Sequence, residues 1–449
     1  MNCETVTIEK LVHGGFGLGR LPSGQVILVP YTLPGESVIV TRQEVKKNYI
    51  LGKAVQIQNR HSARIKPSCP YYEHCGGCNL QHCDYSRQLT LKREMLVDLL
   101  VRQGVFSATE TEQMVADTLA SACEFAYRQR IRLQVSGNGS LGFHHFRSHR
   151  LAEIKACLLA GEEINQALSA LRTSNAAGRL LQHSREVEFQ CNPANGRVVL
   201  VCLYNRKPRP KDREKAREIC RNTAVIERIF FTGDDFMIQP PVSASGEGDN
   251  LLSLHYQGEG SACPPLQFKW EVGGFNQVNL QQNRRLIATV LACSKVSPRD
   301  SVLDLYCGMG NFSIPLATKA LSVCGIEGQG SGIRCARHNA SLAHLDNASF
   351  VKQPVHTACK EIAEKGKKYE IVILDPPRQG APQLAPLLAQ ICRKRIVYIS
   401  CDPSTLCRDL VAIGKRGFRI TSILPVDMFP QTHHIETVAV LERSSSSGS

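Results

Sequence analysis

Ser301-Val-Leu-Asp-Leu-Tyr-Cys-Gly-Met-Gly-Asn311 is an apolar run that breaks at two glycines and leads into a helical pattern at residues 312–319. The alternation continues on both sides. Strand-like runs at 322–326, 369–374 and 395–399 are separated by a helical pattern at 331–345 and an apolar segment at 383–392. A helical pattern at 286–293 precedes them all. Parallel strands need a crossover between them, so strands alternating with helices predict a parallel, doubly wound α/β sheet. Ligands in such sheets lie beyond the carboxyl ends of the strands. Gly308 and Gly310 permit a tight turn there and a close approach of backbone to ligand. Glu327, at the end of the second strand, is placed to accept hydrogen bonds from ribose hydroxyls. Asp375-Pro-Pro-Arg-Gln-Gly380 closes another strand with a rigid loop that has few backbone donors. Such a loop can hold a flat base beside a cofactor, although stiffening alone would also account for it.

Arg395-Ile-Val-Tyr-Ile-Ser-Cys401 ends a further strand, and Asp402 and Pro403 read as the cap and first residue of a helix. A thiol at that junction sits near the positive end of a helix dipole, which favours the nucleophilic thiolate. Placement alone does not single out Cys401, because the chain holds 19 cysteines and most cysteines are small buried hydrophobes.

The 449 residues are enough for about three domains of ~150 residues. A 43% hydrophobic content can fill their cores, and 21% charged residues without one-sign blocks describe a globular chain. The net charge of +14 favours an acidic partner, foremost nucleic acid. Residues 1–62 carry short strand patterns and glycine turns, which predicts a small β-barrel. Arg42, Lys46, Lys47 and Tyr49 mix positive charge with a stacking ring, as RNA contact requires. Residues 63–270 are expected to form a central α+β domain, in which 127–135 reads as a half-buried strand with a basic face. The parallel sheet is assigned to 271–443 and a low-complexity tail to 444–449. No run approaches the ~18 apolar residues of a membrane span, and no secretory signal pattern stands at the N-terminus. A cytoplasmic protein is therefore expected, in which disulfides are disfavoured and metal or catalytic roles for cysteine come forward.

Cys69-Pro-Tyr-Tyr-Glu-His-Cys75-Gly-Gly-Cys78 is the second cysteine feature. Cys75 and Cys78 are spaced to wrap one metal or cluster edge, and the glycines between them let backbone amides approach the sulfurs. Three thiolates suit a [4Fe–4S] cluster that takes a fourth ligand from elsewhere. Zinc is the other reading, with His74 or His82 available, and Cys83 could complete a purely local site.

Taken together, these residues place the chain in a recognisable pattern. Residues 1–62 look like a TRAM domain, an RNA-binding module. Asp304-x-x-x-Gly308-x-Gly310 lacks the nicotinamide fingerprint and resembles the first motif of S-adenosylmethionine (SAM)-dependent methyltransferases. With Phe275-Asn-Gln-Val-Asn279, Asp375-Pro-Pro-Arg-Gln-Gly380, Ser400-Cys-Asp-Pro403 and His434-Ile-Glu436, the chain resembles the uracil-C5 RNA methyltransferase family over nearly its whole length. The branch it resembles carries a TRAM domain and a cluster and acts on 23S rRNA.

The resemblance implies a Rossmann-like SAM domain, an RNA partner, no membrane and a monomer. It also implies Cys69, Cys75, Cys78 and Cys157 as ligands of a [4Fe–4S] cluster, and Gln277, Tyr306, Asn311, Glu327 and Asp375 as SAM contacts. Cys401 matches the nucleophile that adds to uracil C6, and Glu436 the base that removes the C5 proton. Two positions depart from the pattern: Pro354 stands where a polar residue often touches adenine, and Tyr306 where phenylalanine is common.

Transfer RNA as substrate fits the same residues. A cytosine-C5 RNA methyltransferase would want a second cysteine after Asp375-Pro-Pro, where Arg378 stands. A non-catalytic iron–sulfur RNA-binding protein would leave Cys401, Glu436 and the glycine loop unused. Radical methyl transfer would want Cys-x-x-x-Cys-x-x-Cys spacing, which Cys69, Cys75 and Cys78 do not have.

Overall fold

The computed structural model describes residues 3–246, 248–258 and 263–444. Of the tail expected at 444–449, all but Ser444 lies outside the described residues. The chain divides into two compact units. The first comprises Met1–Glu124, His144–Ala152 and Leu424–Glu436, and the second Phe125–Phe143, Glu153–Ile423 and Thr437–Ser449.

The first unit opens with a closed barrel in the order β1-β2-β3-β5-β4: β1 Cys3–Val12, β2 Phe16–Arg20, β3 Val26–Pro30, β4 Ser37–Val45 and β5 Ile50–Asn59. Alternate residues point inward, and Val6, Ile8, Ile27, Val29, Val38, Val40 and Ile50 fill the interior. The cysteine loop follows and leads into α1 (Tyr85–Arg102), whose first turn is capped by Asp84 accepting from the Arg87 amide at 2.8 Å. Leu91 and Met95 of α1 pack with Leu11, Leu33, Leu80 and Cys83. The short α2 (Ala108–Met114) begins with a reciprocal Ser107–Glu110 capping box.

Two seven-stranded sheets have most of their strands in the second unit. The first has the order β12-β11-β10-β9-β6-β7-β8: β6 Arg130–Val135, β7 Leu141–His144, β8 Leu151–Glu153, β9 Ser184–Asn192, β10 Arg197–Tyr204, β11 Ile226–Thr232 and β12 Val242–Ser243. Helices α3 (Glu162–Thr173), α4 (Ala177–Gln182) and α5 (Pro210–Asn222) accompany it, and a hairpin, β13 (Leu251–Tyr256) with β14 (Leu266–Glu271), follows.

The other sheet is the α/β layer expected from residues 301–311. Its strands are β15 Ser301–Leu305, β16 Ser322–Glu327, β17 Ala348–Lys352, β18 Tyr369–Leu374, β19 Cys392–Ser400, β20 Phe418–Val426 and β21 Glu436–Arg443, in the order β17-β16-β15-β18-β19-β21-β20. The interleaved helices are α6 (Leu280–Ser294), α7 (Ser313–Ala317), α8 (Gly330–Leu342), α9 (Val355–Glu364), α10 (Ala385–Ile391) and α11 (Pro403–Gly414).

The expectation of a wholly parallel sheet needs one correction. β21 runs antiparallel to β19, pairing Ser400 with Thr437 and Arg395 with Glu442. No helical crossover separates β20 from β21, so the second of them can return antiparallel. Arg419, Thr421, Ser422 and Pro425 break the apolar pattern of β20, and the half-polar edge strand β17 is similarly hard to read from sequence.

Candidate active site

The reversal of strand order lies beside β15, where β16 leads to one side and β18 to the other. Of the expected cofactor residues, Tyr306, Asn311, Glu327 and Asp375 lie at or just beyond the carboxyl ends of these strands. Tyr306 follows β15 with φ of 64° and Gly310 turns at 90°. A left-handed tyrosine is uncommon, and such strain collects at functional sites. A Cβ on Gly310 would lie 2.8 Å from the Ile314 side chain, so this turn admits only glycine. Glu327 accepts from the Gly308 amide at 3.3 Å and the Gln329 amide at 2.7 Å, which braces the glycine loop against β16. The Gln353 amide donates to the Glu327 carbonyl, placing Pro354, the residue preceding α9, just beyond that strand end.

Asn311 exchanges two hydrogen bonds with the buried Asn283 of α6, at 2.8 and 3.2 Å. Gln277 is buried in the loop before α6, and Arg130 of β6 donates to the Gly274 and Asn276 carbonyls of that loop. The sequence offered no sign of Asn283 as a partner, because a lone asparagine inside a helix pattern carries no local signal.

Two carboxyls sit close together beneath the loop. Asp304 is fully buried and accepts the Ser313 hydroxyl. Asp375 follows β18, its amide donating to the Leu305 carbonyl at 3.3 Å. Burial, with the proximity of Asp304 adding to it at Asp375, pushes both carboxyls up to about 7. Their folded pKa values thus exceed the unfolded ones. The stability they contribute is complete below about pH 4 and is lost as pH rises through about 7. We expect the unfolding free energy of the parent protein to fall between pH 5 and pH 8 relative to that of Asp304→Asn, by on the order of 1–3 kcal/mol, with its urea midpoint falling alongside. Parallel midpoint-against-pH curves for the two proteins would contradict this.

Asp375-Pro-Pro-Arg-Gln-Gly380 docks on α11. Thr405 Oγ1 donates to the Arg378 carbonyl at 3.1 Å, and Arg408 to the Gln379 carbonyl at 2.8 Å. The buried Asp409 accepts from the Ala381 amide and the Tyr398 hydroxyl, each at 2.7 Å. α11 is the helix that starts after Cys401. Asp402 caps it, accepting from the Ser404 and Thr405 amides at 2.9 and 3.1 Å, and Pro403 is its first residue, as expected from the sequence. Cys401 is half-buried between β19 and this N-terminus. Ser400, the residue before it, pairs with Thr437 in the last step of the β19–β21 ladder. Glu436 is 3% exposed.

The segment that ends in Glu436 is anchored within the first unit. Lys92 of α1 and Asp427 are both wholly buried and meet at 2.6 Å. Gln88 and Gln431 bond to each other reciprocally, at 2.9 and 3.0 Å. The cysteine loop joins the same segment, because the Asn79 and Leu80 amides both donate to the Gln431 carbonyl.

Within that loop Cys69, Cys75 and Cys78 are half-buried, and the Gly77 amide donates to Cys75 Sγ at 3.4 Å. His82 is buried against the Tyr72 hydroxyl at 2.7 Å, and burial pushes its pKa down to about 3. Cys83 lies fully buried in the apolar cluster under the barrel, which disfavours the purely local site. Cys157 belongs to the second unit, where its amide and carbonyl are both held by Asn165, at 2.9 and 3.0 Å. Among the described residues, no group of three or more His, Cys, Asp or Glu is gathered so as to hold a metal ion.

Much of the expected basic surface is neutralised internally. Arg132 pairs with Glu188 at 2.7 Å, Arg42 with Glu4 at 2.8 Å, and Lys46 with Glu44. No helix among the described residues is long and apolar enough to cross a membrane.

Comparison with known proteins agrees with this arrangement. Residues 262–444 match the family described as tRNA (Uracil-5-)-methyltransferase, and residues 3–55 match the TRAM domain. The chain is 31% identical over 446 residues to the 23S rRNA (uracil(1939)-C(5))-methyltransferase RlmD of Shewanella sediminis, covering 98% of this chain and 95% of that protein. It is 30% identical to an uncharacterized RNA methyltransferase of Thermotoga maritima, with 98% of each chain covered. The fold is similar to that of the Pyrococcus abyssi tRNA (uracil-54, C5)-methyltransferase crystallised with S-adenosyl-L-homocysteine. The TM-score is 0.72 at 24% identity, over 97% of this chain and 100% of that one.

Proposed function

We infer the function from one premise: this chain belongs to the RNA (uracil-C5)-methyltransferase family. It uses SAM to methylate uracil C5 in RNA. The proposed substrate is a uridine of 23S rRNA, methylated in the cytoplasm by a monomer.

In the proposed mechanism the Cys401 thiolate adds to uracil C6, and the electron pair of the C5–C6 double bond moves into an enolate. C5 then attacks the SAM methyl group, and S-adenosylhomocysteine leaves with the sulfur electron pair. Glu436 takes the C5 proton, the C5–C6 double bond re-forms and the thiolate is expelled. SAM would be held by Gln277, Tyr306, Asn311, Glu327 and Asp375. The target base must leave its stack to reach the thiol.

The observation that carries this reading is the place of Cys401 at the end of β19 and the N-terminus of α11, the helix to which the Asp375 loop is bonded through Thr405 and Asp409. Mass-spectrometric mapping of 5-methyluridine in RNA from cells with and without the protein tests it, and an unchanged 23S rRNA would overturn the substrate assignment. Glu436→Gln should form the covalent RNA adduct and fail to resolve it, lowering turnover by on the order of 10²–10⁴-fold. Normal turnover without a trapped species on a denaturing gel would remove Glu436 from the scheme.

The proposal extends to a [4Fe–4S] cluster on Cys69, Cys75, Cys78 and Cys157. The amide donated to Cys75 Sγ is the kind of contact that cluster thiolates accept, and all four cysteines are half-buried rather than sealed in a core. With four thiolate ligands no iron is open to substrate, so the cluster would supply a cross-link between chain segments. Anaerobically purified protein should carry about four iron atoms and four labile sulfides per chain. Stoichiometric zinc without iron would favour the other metal.

A further inference from the structure

Asn79, the residue after Cys78, joins three segments of the first unit that are remote in sequence. Its side-chain amide donates to the Gly14 carbonyl in the β1–β2 turn at 3.0 Å and lies 2.8 Å from His433 Nδ1. Its side-chain oxygen accepts from the His433 amide at 2.8 Å. Asn79 is 8% exposed, and its own amide donates to the Gln431 carbonyl. The turn opposite is built to receive it: Gly15 has φ of 76°, and a Cβ there would lie 2.3 Å from Asn79 Nδ2 and 3.0 Å from His433 Cβ. The His13 ring meets the His433 ring edge-on at 5.8 Å. Glu436 follows three residues after His433.

We propose that Asn79 is a positioning residue for Glu436, clasping residues 431–433 so that the carboxylate is aimed at the C5 proton. The proposal rests on Glu436 being the base. Short loops transmit displacement, and a shift of about 1 Å at a proton-transfer site costs up to 10²-fold in rate. The clasp is built from residues of the first unit, whereas the glycine loop and Cys401 belong to the second, so the proposal assigns it to the last step. Proton removal slows while addition and methyl transfer persist. This places a functional demand on the cysteine loop that is separate from RNA contact.

The test uses the full chain with a uridine-containing RNA and SAM, in the parent, Asn79→Ala and Gly15→Ala proteins. The second variant leaves Asn79 in place and pushes on the clasp from the barrel side. In both, turnover should fall about tenfold or more while methylated covalent adduct accumulates on denaturing gels and the SAM KM stays within about twofold. Should Asn79→Ala not fold, Gly15→Ala alone gives the same reading. Turnover within twofold of the parent overturns the proposal, as does loss of adduct formation in step with turnover. If Glu436 is not the base, Glu436→Gln itself will trap no adduct, which separates that failure from failure of the clasp.

Discussion

Cys401→Ser should lose methyl transfer by on the order of 10⁴-fold or more while SAM affinity stays within about twofold. A serine hydroxyl is almost wholly protonated at neutral pH and is a far weaker nucleophile toward C6, so the enolate that makes C5 reactive is never generated. The substitution changes one atom in a half-buried site. Asp402 still caps α11, Ser400 Oγ still accepts the Asp402 amide at 3.2 Å, and the glycine loop with its Glu327 and Asn311 hydrogen bonds is untouched. Calorimetric SAM binding beside single-turnover methylation separates the two effects. Unchanged turnover in the variant would end the covalent scheme, and loss of SAM binding would mean that the thiol has a structural task.

The second large effect is on stability. Asp427→Ala should destabilise the protein by about 3–5 kcal/mol, because it strands the Lys92 ammonium in a site from which water is excluded. Lys92 also donates to the Phe429 carbonyl at 3.1 Å, but one neutral acceptor cannot compensate a buried charge. Burial already pushes the Lys92 pKa down, opposed by Asp427, so removing the carboxylate drives the amine toward its neutral form. Against a total stability of about 5–15 kcal/mol, such a loss is a large share. The double variant Lys92→Met with Asp427→Leu removes both charges and should recover most of it. Urea midpoints decide the matter, and a loss below about 1 kcal/mol for Asp427→Ala would show that the pair is not dry. The pair anchors the segment that carries Glu436, so activity should fall faster than global stability as the variant nears its midpoint.

The barrel, the α/β sheet and the strand-end positions of Asp304, Glu327, Asp375 and Cys401 were legible because their signals are local. Short apolar runs mark β3 and β15, paired glycines mark the turn after β15, and Asp402-Pro403 marks the start of α11. Each depends on the residues within one or two turns of it. The family resemblance added Gln277, Asn311 and Glu436, which have no local signature. The basic face read at residues 127–135 was a real pattern. Its meaning changed on folding, because Glu186 and Glu188 of β9 lie across from Arg132 and the loop carbonyls take up Arg130.

Local pattern alone specifies which strands alternate with which helices, where the glycine loop turns, and that a thiol stands between a strand and a capped helix. Folding alone decides that β21 inserts antiparallel beside β19, pairing Ser400 with Thr437. It also decides that Asp409 ties the Asp375 loop to the helix of Cys401, and that Asn79 reaches His433 across 354 residues of chain. The physical reason is range. Backbone preferences and caps act between near neighbours, whereas these contacts exist only once the chain has closed large loops and buried the polar groups that must then find one another.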